Sequence, residues 1–167
     1  MQINSVTFST DGNILASASS DKTIRLWDVS LRKLIGKPLI GHVEPINSMI
    51  FSHDGNILVS VSSDKTVRLW DVSQRKSIGE PLIGYSSVAF SPDGNTLALA
   101  STMDIKLWDI SMRKPLGEPL NSNNVNSVAF SPNGKILASA TGNTIRLWDV
   151  SLRKPLGEPL TRTFSPD

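Results

Sequence analysis

Four tryptophans occur in the chain, and each sits in nearly the same five residues: RLWDV at Trp27 and Trp70, KLWDI at Trp108 and RLWDV at Trp148. From Trp27 to Trp70, Trp108 and Trp148 the intervals are 43, 38 and 40 residues. A phenylalanine repeats in step, as FSTDG at Phe8, FSHDG at Phe51, FSPDG at Phe90 and FSPNG at Phe130. The last two copies also end identically, in RKPLGEPL from Arg113 and from Arg153. Self-similarity at this period means that each copy is one supersecondary unit. Such a unit is too small to bury its own apolar faces, so copies must stack.

Within a copy the pattern is that of short strands. INSVTFS from Ile3 and VNSVAFS from Val125 alternate, with Asn126, Val128 and Phe130 on one face, the period of two that a strand requires. Asp11-Gly12, Asp54-Gly55, Asp93-Gly94 and Asn133-Gly134 follow, pairs that supply the positive φ of a hairpin turn. A second strand (ILASAS from Ile14), a polar turn (SSDKT from Ser19) and a third strand (TIRLWDV from Thr23) complete the common part. The outer segment carries Pro38, Pro81, Pro119 or Pro159. Proline cannot donate to a ladder, which places this strand at an edge. Nothing has helical periodicity. The reading is an all-β chain of four four-stranded antiparallel blades, stacked as in a β-propeller. The small Ala16, Ser17 and Ala18 suit close sheet packing, and the Trp and Leu of the third strand fill the wider gap.

Composition narrows the function classes. The chain of 167 residues is 39% apolar and 19% charged with a net charge of +2, too small an excess to indicate nucleic acid unless the charges cluster. The basic pairs Arg32-Lys33, Arg75-Lys76, Arg113-Lys114 and Arg153-Lys154 are dispersed, one before each outer strand, and Glu80, Glu118 and Glu158 accompany three of them. They read as charge protecting an edge strand from unwanted pairing. There is no cysteine, hence no disulfide, zinc ribbon or thiol catalysis, and the expected location is cytoplasmic. MQINSVTFSTDG at the N-terminus is not of signal-peptide type, and no apolar run is long enough for a membrane-spanning helix.

The Trp-Asp dipeptides, the aligned hairpin turns and the period together resemble the WD-repeat family over about residues 3–160. The resemblance implies a hydrogen-bonded set within each blade: a histidine before the first strand, a serine in the second, an aspartate in the following turn and the tryptophan. Only the second copy has all four, as Gly41-His42, Ser60 or Ser62, Asp64 and Trp70. The first has Asp21 and Trp27 but begins too late for the histidine. The third has Tyr85 where the histidine is expected and a shorter turn at Met103-Asp104, and the fourth has Asn123-Asn124 and a shortened turn at Gly142-Asn143. The blades are expected at about 1–42, 43–84, 85–122 and 123–160, with 161–167 as the stub of a truncated fifth repeat. Rings of such blades usually number about seven or eight. Four blades therefore leave exposed end faces, and two chains completing an eight-bladed ring as a homodimer is the expected arrangement. A self-closed four-bladed ring and a piece of a longer chain are the alternatives.

No nucleophile elbow, phosphate loop or metal motif is present. His42 with Glu44 could form a base or ligand pair, but a chain with two histidines offers no third ligand, and His53 reads as a solvent-facing turn residue. Asp28, Asp71, Asp109 and Asp149 recur in every copy and read as structural. An enzyme, a cofactor and a metal are therefore not expected. In the WD-repeat family, partners dock on the loops between blades and on the turns between second and third strands. The matching residues are Lys22 in blade one, Glu44, Pro45, Asn47 and Lys65 in blade two, Tyr85, Ser86 and Met103 in blade three, and Asn123, Asn124, Asn126 and Asn143 in blade four. Tyr85, the single tyrosine, is the expected aromatic anchor. The expected function is a non-catalytic protein-interaction scaffold, without specific nucleic-acid or membrane binding. A lectin-like propeller with one pocket per blade, or a sensor module of a larger signalling ATPase, kinase or protease, are the alternatives.

Overall fold

The computed structural model describes residues 2–161. Every element among them is a strand. The first sheet comprises β1 (Ile3–Phe8), β2 (Ile14–Ser19), β3 (Thr23–Asp28), β4 (Lys33–Leu34) and β5 (Leu39–Ile40). The second holds β6 (Ile46–Phe51), β7 (Ile57–Ser62), β8 (Thr66–Asp71), β9 (Lys76–Ser77) and β10 (Leu82–Ile83). The third holds β11 (Tyr85–Phe90), β12 (Thr96–Ser101), β13 (Asp104–Asp109), β14 (Lys114–Pro115) and β15 (Leu120–Asn121). The fourth holds β16 (Ser127–Phe130), β17 (Ile136–Thr141), β18 (Thr144–Asp149), β19 (Lys154–Pro155) and β20 (Leu160–Thr161). Within each sheet strands pair with their sequence neighbours, apart from the return of the last short strand to the third long one, and the pairing is antiparallel, as between β2 and β3 and between β3 and β5.

The outer strand differs from the continuous one expected. In every sheet it is two short pieces, such as β4 and β5, which pair opposite ends of the same strand, β3. Between them lies a segment holding a positive-φ glycine and the proline, Gly36 and Pro38 in the first sheet. Proline has no N–H to give and the glycine bends the chain outward, so the ladder stops and resumes two residues at a time. Thr161, expected in a fifth-repeat stub, instead ends β20 of the fourth sheet. The remainder of that stub, 162–167, lies outside the described residues.

The turns are stapled alike in all copies. In the first, Ser9 N–H donates to Ile14 O at 2.8 Å, Gly12 N–H to Ser9 O at 2.9 Å, and Ser9 Oγ to Asp11 Oδ1 at 2.6 Å. The connection is thus longer than a two-residue hairpin, and Gly12 at φ +74° supplies its left-handed position. At the end of the third strand, Asp28 Oδ1 accepts from Ser30 Oγ and Leu31 N–H, both at 2.8 Å. Asp71, Asp109 and Asp149 do the same. These hydrogen bonds, the backbone one first, hold each of the four carboxyls below the usual carboxylate range.

The chain divides into two compact units, Met1–Ser86 and Ser87–Asp167. Strand alternation gives each sheet two unlike faces. On one, Phe8, Leu15, Trp27 and Leu34 are cross-strand neighbours. On the other, Ala16 pairs with Leu26, and Ala18 with Ile24 and, through it, Leu39. In the first unit the alanine face of sheet one (Ala16, Ala18, Ile24, Leu26, Leu39) forms one buried cluster with the tryptophan face of sheet two (Met49, Phe51, Leu58, Trp70). In the second unit Ala98, Ala100, Ile105, Leu107 and Leu120 pack likewise with Val128, Leu137 and Trp148. Small side chains on one sheet admit the indole of the next, so both clusters close without voids being needed. Ile24 and Ile105 are fully buried at the centres of these clusters. Ile24→Ala and Ile105→Ala should each destabilise their own unit by about 2–5 kcal/mol, read as a shift of the urea unfolding midpoint.

Candidate functional site

The second sheet contains a buried polar chain that begins at the loop before β6. His42 stands there with its side chain buried. Its Nδ1 lies 2.9 Å from Asp64 Oδ2, and its Nε2 lies 2.7 Å from Ser60 Oγ. Trp70 Nε1–H donates to the same Ser60 Oγ at 2.8 Å. The relay is consistent when the neutral imidazole carries its proton on Nδ1: His42 then donates to Asp64, and the Ser60 hydroxyl donates to His42 Nε2. Burial is the main cause that lowers the His42 pKa and keeps the ring neutral; the nearby Arg68 charge acts the same way, against the pull of Asp64. For Asp64, burial works against ionisation, but hydrogen bonds from the Thr66 and His42 side chains and from the Val43 and Thr66 N–H groups outweigh it. Its pKa lies well below the usual value.

Of the two candidate serines, Ser60 is the one in the chain. Ser62 Oγ instead donates to the Glu44 and Pro45 carbonyls, each at 3.0 Å, and accepts from Asp64 N–H at 3.2 Å. It therefore ties the loop 41–45 to the turn after β7, as does Ser63 N–H donating to Pro45 O at 2.9 Å. Gly41 is closely approached: a Cβ there would lie 3.1 Å from both the Trp70 ring and the Arg68 guanidinium, tighter than ordinary contact. The other sheets keep fragments of the arrangement. Trp27 Nε1–H donates to Ser17 at 2.8 Å and Trp148 Nε1–H to Ser139 at 2.9 Å, whereas Leu99 occupies the matching place in the third sheet and offers Trp108 no hydroxyl.

Around these braced connections the candidate docking residues take different roles. In the first unit, Glu44 and Lys65 are exposed on the loop and turn that Ser62 and Ser63 join, and Lys22 is exposed on the equivalent turn of the first sheet. Pro45 is half-buried. Asn47 is exposed but its amide is exchanged with the Ser63 hydroxyl, at 3.1 and 3.2 Å, so it serves the loop first. Tyr85 is corrected on two counts. It is buried, and it begins β11 at the place held by Ile46 in the second sheet, so it is neither a histidine replacement nor a solvent-facing anchor. The reason is the connection from β10 to β11, a single residue, Gly84 at φ +92°, which leaves no loop to carry either role. Ser86, next on β11, is exposed.

In the second unit Met103 is 77% exposed. Asn124, at φ +51°, fixes its loop beside Met103 by donating its N–H to Thr102 O at 2.8 Å. Asn123, Asn126 and Asn143 are exposed, with Asn126 N–H donating to Ala140 O at 2.9 Å. Three further residues were not among the expected ones: Ile40, Val43 and Ile83 are 75%, 66% and 78% exposed. Ile40 and Ile83 pair with Thr23 and Thr66, the residues that open β3 and β8 beside the second-to-third-strand turns. The strict alternation of Leu39-Ile40 and Leu82-Ile83, one side chain in and one out, was the signal that marks them. A cleft of about 520 Å³ opens elsewhere, between the hairpin turns at Thr10 and Asp54. His53, exposed, lines it. No group of three or more His, Cys, Asp or Glu placed to hold a metal occurs among the described residues.

Two outcomes test the buried chain. Ser60→Ala leaves both Trp70 Nε1 and His42 Nε2 without their partner in a dry site, and should cost about 1–3 kcal/mol in urea unfolding. Because the His42 pKa is lower in the fold than its ordinary 6.5, the unfolded chain takes up the proton first as pH falls. Stability should therefore decline from pH 6.5 downward until the folded pKa is reached. Asp64 adds a further loss only below its ordinary pKa of 3.8. Thermal melts of His42→Asn should lack the first decline.

A family model described as WD domain, G-beta repeat matches residues 1–28, 32–71, 82–109 and 114–149. Each match takes in one tryptophan and its Trp-Asp strand, and the second, third and fourth begin in the outer strand pieces of the preceding sheet. Repeats of this family generally mediate protein–protein contacts and are typically non-catalytic. With four matched segments covering most of its length, the chain belongs to the WD-repeat family.

Proposed function

We propose that the chain is a non-catalytic interaction scaffold that docks a protein segment on the loop-and-turn face of its blades. The observation that carries this reading is the exposure of Ile40, Val43 and Ile83 beside Glu44 and Lys65. Apolar side chains presented on a polar rim are what a docking site requires. They sit on backbone braced by the Asp64–His42–Ser60–Trp70 chain, so little ordering is left to oppose binding. Met103 with the asparagines of the second unit offers a second such surface. In this reading the protein works in the cytoplasm, binds neither nucleic acid specifically nor membrane, and pairs as a homodimer that completes eight blades.

Affinity capture with the wild-type chain, compared with Ile40→Asp/Val43→Asp/Ile83→Asp, tests the docking face. The triple variant should weaken binding of the captured partner at least about tenfold, a loss of 1.4 kcal/mol or more. His53→Asp, on the hairpin turn, should leave it unchanged. Equal retention by all three proteins would remove this face as the docking site.

A further inference from the structure

The two junctions inside the units share one design, and the first and fourth sheets carry its two unfilled halves. The alanine face that receives its neighbour in the second unit is Ala98, Ala100, Ile105, Leu107 and Leu120. The fourth sheet repeats these five residue types in the same places, as Ala138, Ala140, Ile145, Leu147 and Leu160. Yet Ile145 and Leu160 are 44% and 56% exposed where Ile105 and Leu120 are buried. Conversely, the tryptophan face of the first sheet has Ile3, Val6, Phe8, Leu15 and Trp27 where the fourth has Val125, Val128, Phe130, Leu137 and Trp148. There Val6 and Phe8 are 59% and 57% exposed.

An arginine lies over a glycine of the preceding sheet at each junction. Arg153, in the turn between β18 and β19, donates from Nη1 to Leu116 O of the preceding sheet at 2.7 Å. Its guanidinium occupies the space above Gly117, where a Cβ would come within 1.8 Å of it. Arg75 also lies over Gly36 in the first unit, 2.6 Å from where a Cβ would be, although its Nη1 donates to Ser73 O of its own sheet at 3.4 Å. Both arginines hold a left-handed backbone, at φ +54° and +55°. This conformation is uncommon for a residue with a Cβ. Arg32 holds it too, at +53°, and is exposed, while the matching glycine of the fourth sheet, Gly157, has nothing within 4 Å of its would-be Cβ.

Resting on the two-copy reading above, we infer that the partner of these faces is a second copy of this chain, docked head to tail. The fourth sheet of one copy receives the first sheet of the other. Phe8 and Trp27 lie on Ala138, Ala140 and Ile145, and Arg32 of one copy donates to Leu156 O of the other above Gly157. Each copy offers one half at each end, so two such junctions related by a twofold axis close the pair. Association of like face with like face does not fit, because two tryptophan faces have no small residues to admit the indole.

Light scattering on the full chain tests this, with far-UV circular dichroism to check folding. Wild type should give twice 18.1 kDa. Phe8→Asp and Ile145→Asp alter side chains already exposed in the single chain, so each should stay folded but fall to the single mass. Mixing the two should restore a pair, because one unaltered junction remains between the Phe8→Asp copy's fourth sheet and the Ile145→Asp copy's first. Arg32→Ala should weaken the wild-type pair about tenfold. A folded wild-type monomer, its faces filled by self-closure or by further blades of a longer chain, would overturn the two-copy reading itself. A wild-type pair that either single variant leaves intact, or a mixture that stays monomeric, would overturn this junction alone. An open series of larger masses would overturn closure by two copies.

Discussion

The structure depends on one packing relation: an indole from one sheet lying on the alanines of the next. Neither face is stable alone. The tryptophan face of sheet two is covered because Ala16 and Ala18 leave depth for Trp70, and that of sheet four because Ala98 and Ala100 do the same for Trp148. The clusters that pair these faces are apolar, and their removal from water is the main force holding each unit together. The turn staples fix the register that puts these residues opposite one another. A one-residue slip in any strand would turn its large side chains to the wrong face.

The deepest hydrogen-bonded polarity of the second sheet is gathered in one chain. The Asp64–His42–Ser60–Trp70 chain couples the loop before β6 to the packed indole. The low-dielectric setting makes each of these hydrogen bonds costly to lose. A loop so anchored holds Val43 and Glu44 at the surface in a set position. The sheets without a histidine omit the long loop, as at Gly84, or rebuild it on backbone hydrogen bonds, as at Asn124. Structural bracing and presentation of a binding surface are therefore one arrangement seen from its two ends.

Much of this was legible in the residues. Alternation in INSVTFS and the Asp-Gly pairs specified strands and turns, and the prolines placed the outer strand at an edge, where an interruption is tolerated. They did not specify that the interruption splits the outer strand into two-residue pieces, because that depends on where the ladder of the third strand can resume. The site was only partly legible. Ser60 and Ser62 are two residues apart on the same face, and only the distance to His42 separates the network member from the residue that fastens the loop. Tyr85 looked like a surface anchor because its type suits one, but a one-residue connection draws it into the start of a strand.

By itself the sequence determined the repeat, the strand class and the two-faced character of every blade, since those follow from local periodicity and backbone chemistry repeated four times. Only the tertiary structure decided which copies of the same residue are buried. Ile105 and Ile145 hold the same place in their strands, yet one is sealed and the other is open. The difference arises because burial is a property of what packs against a face, and no single strand encodes its neighbour.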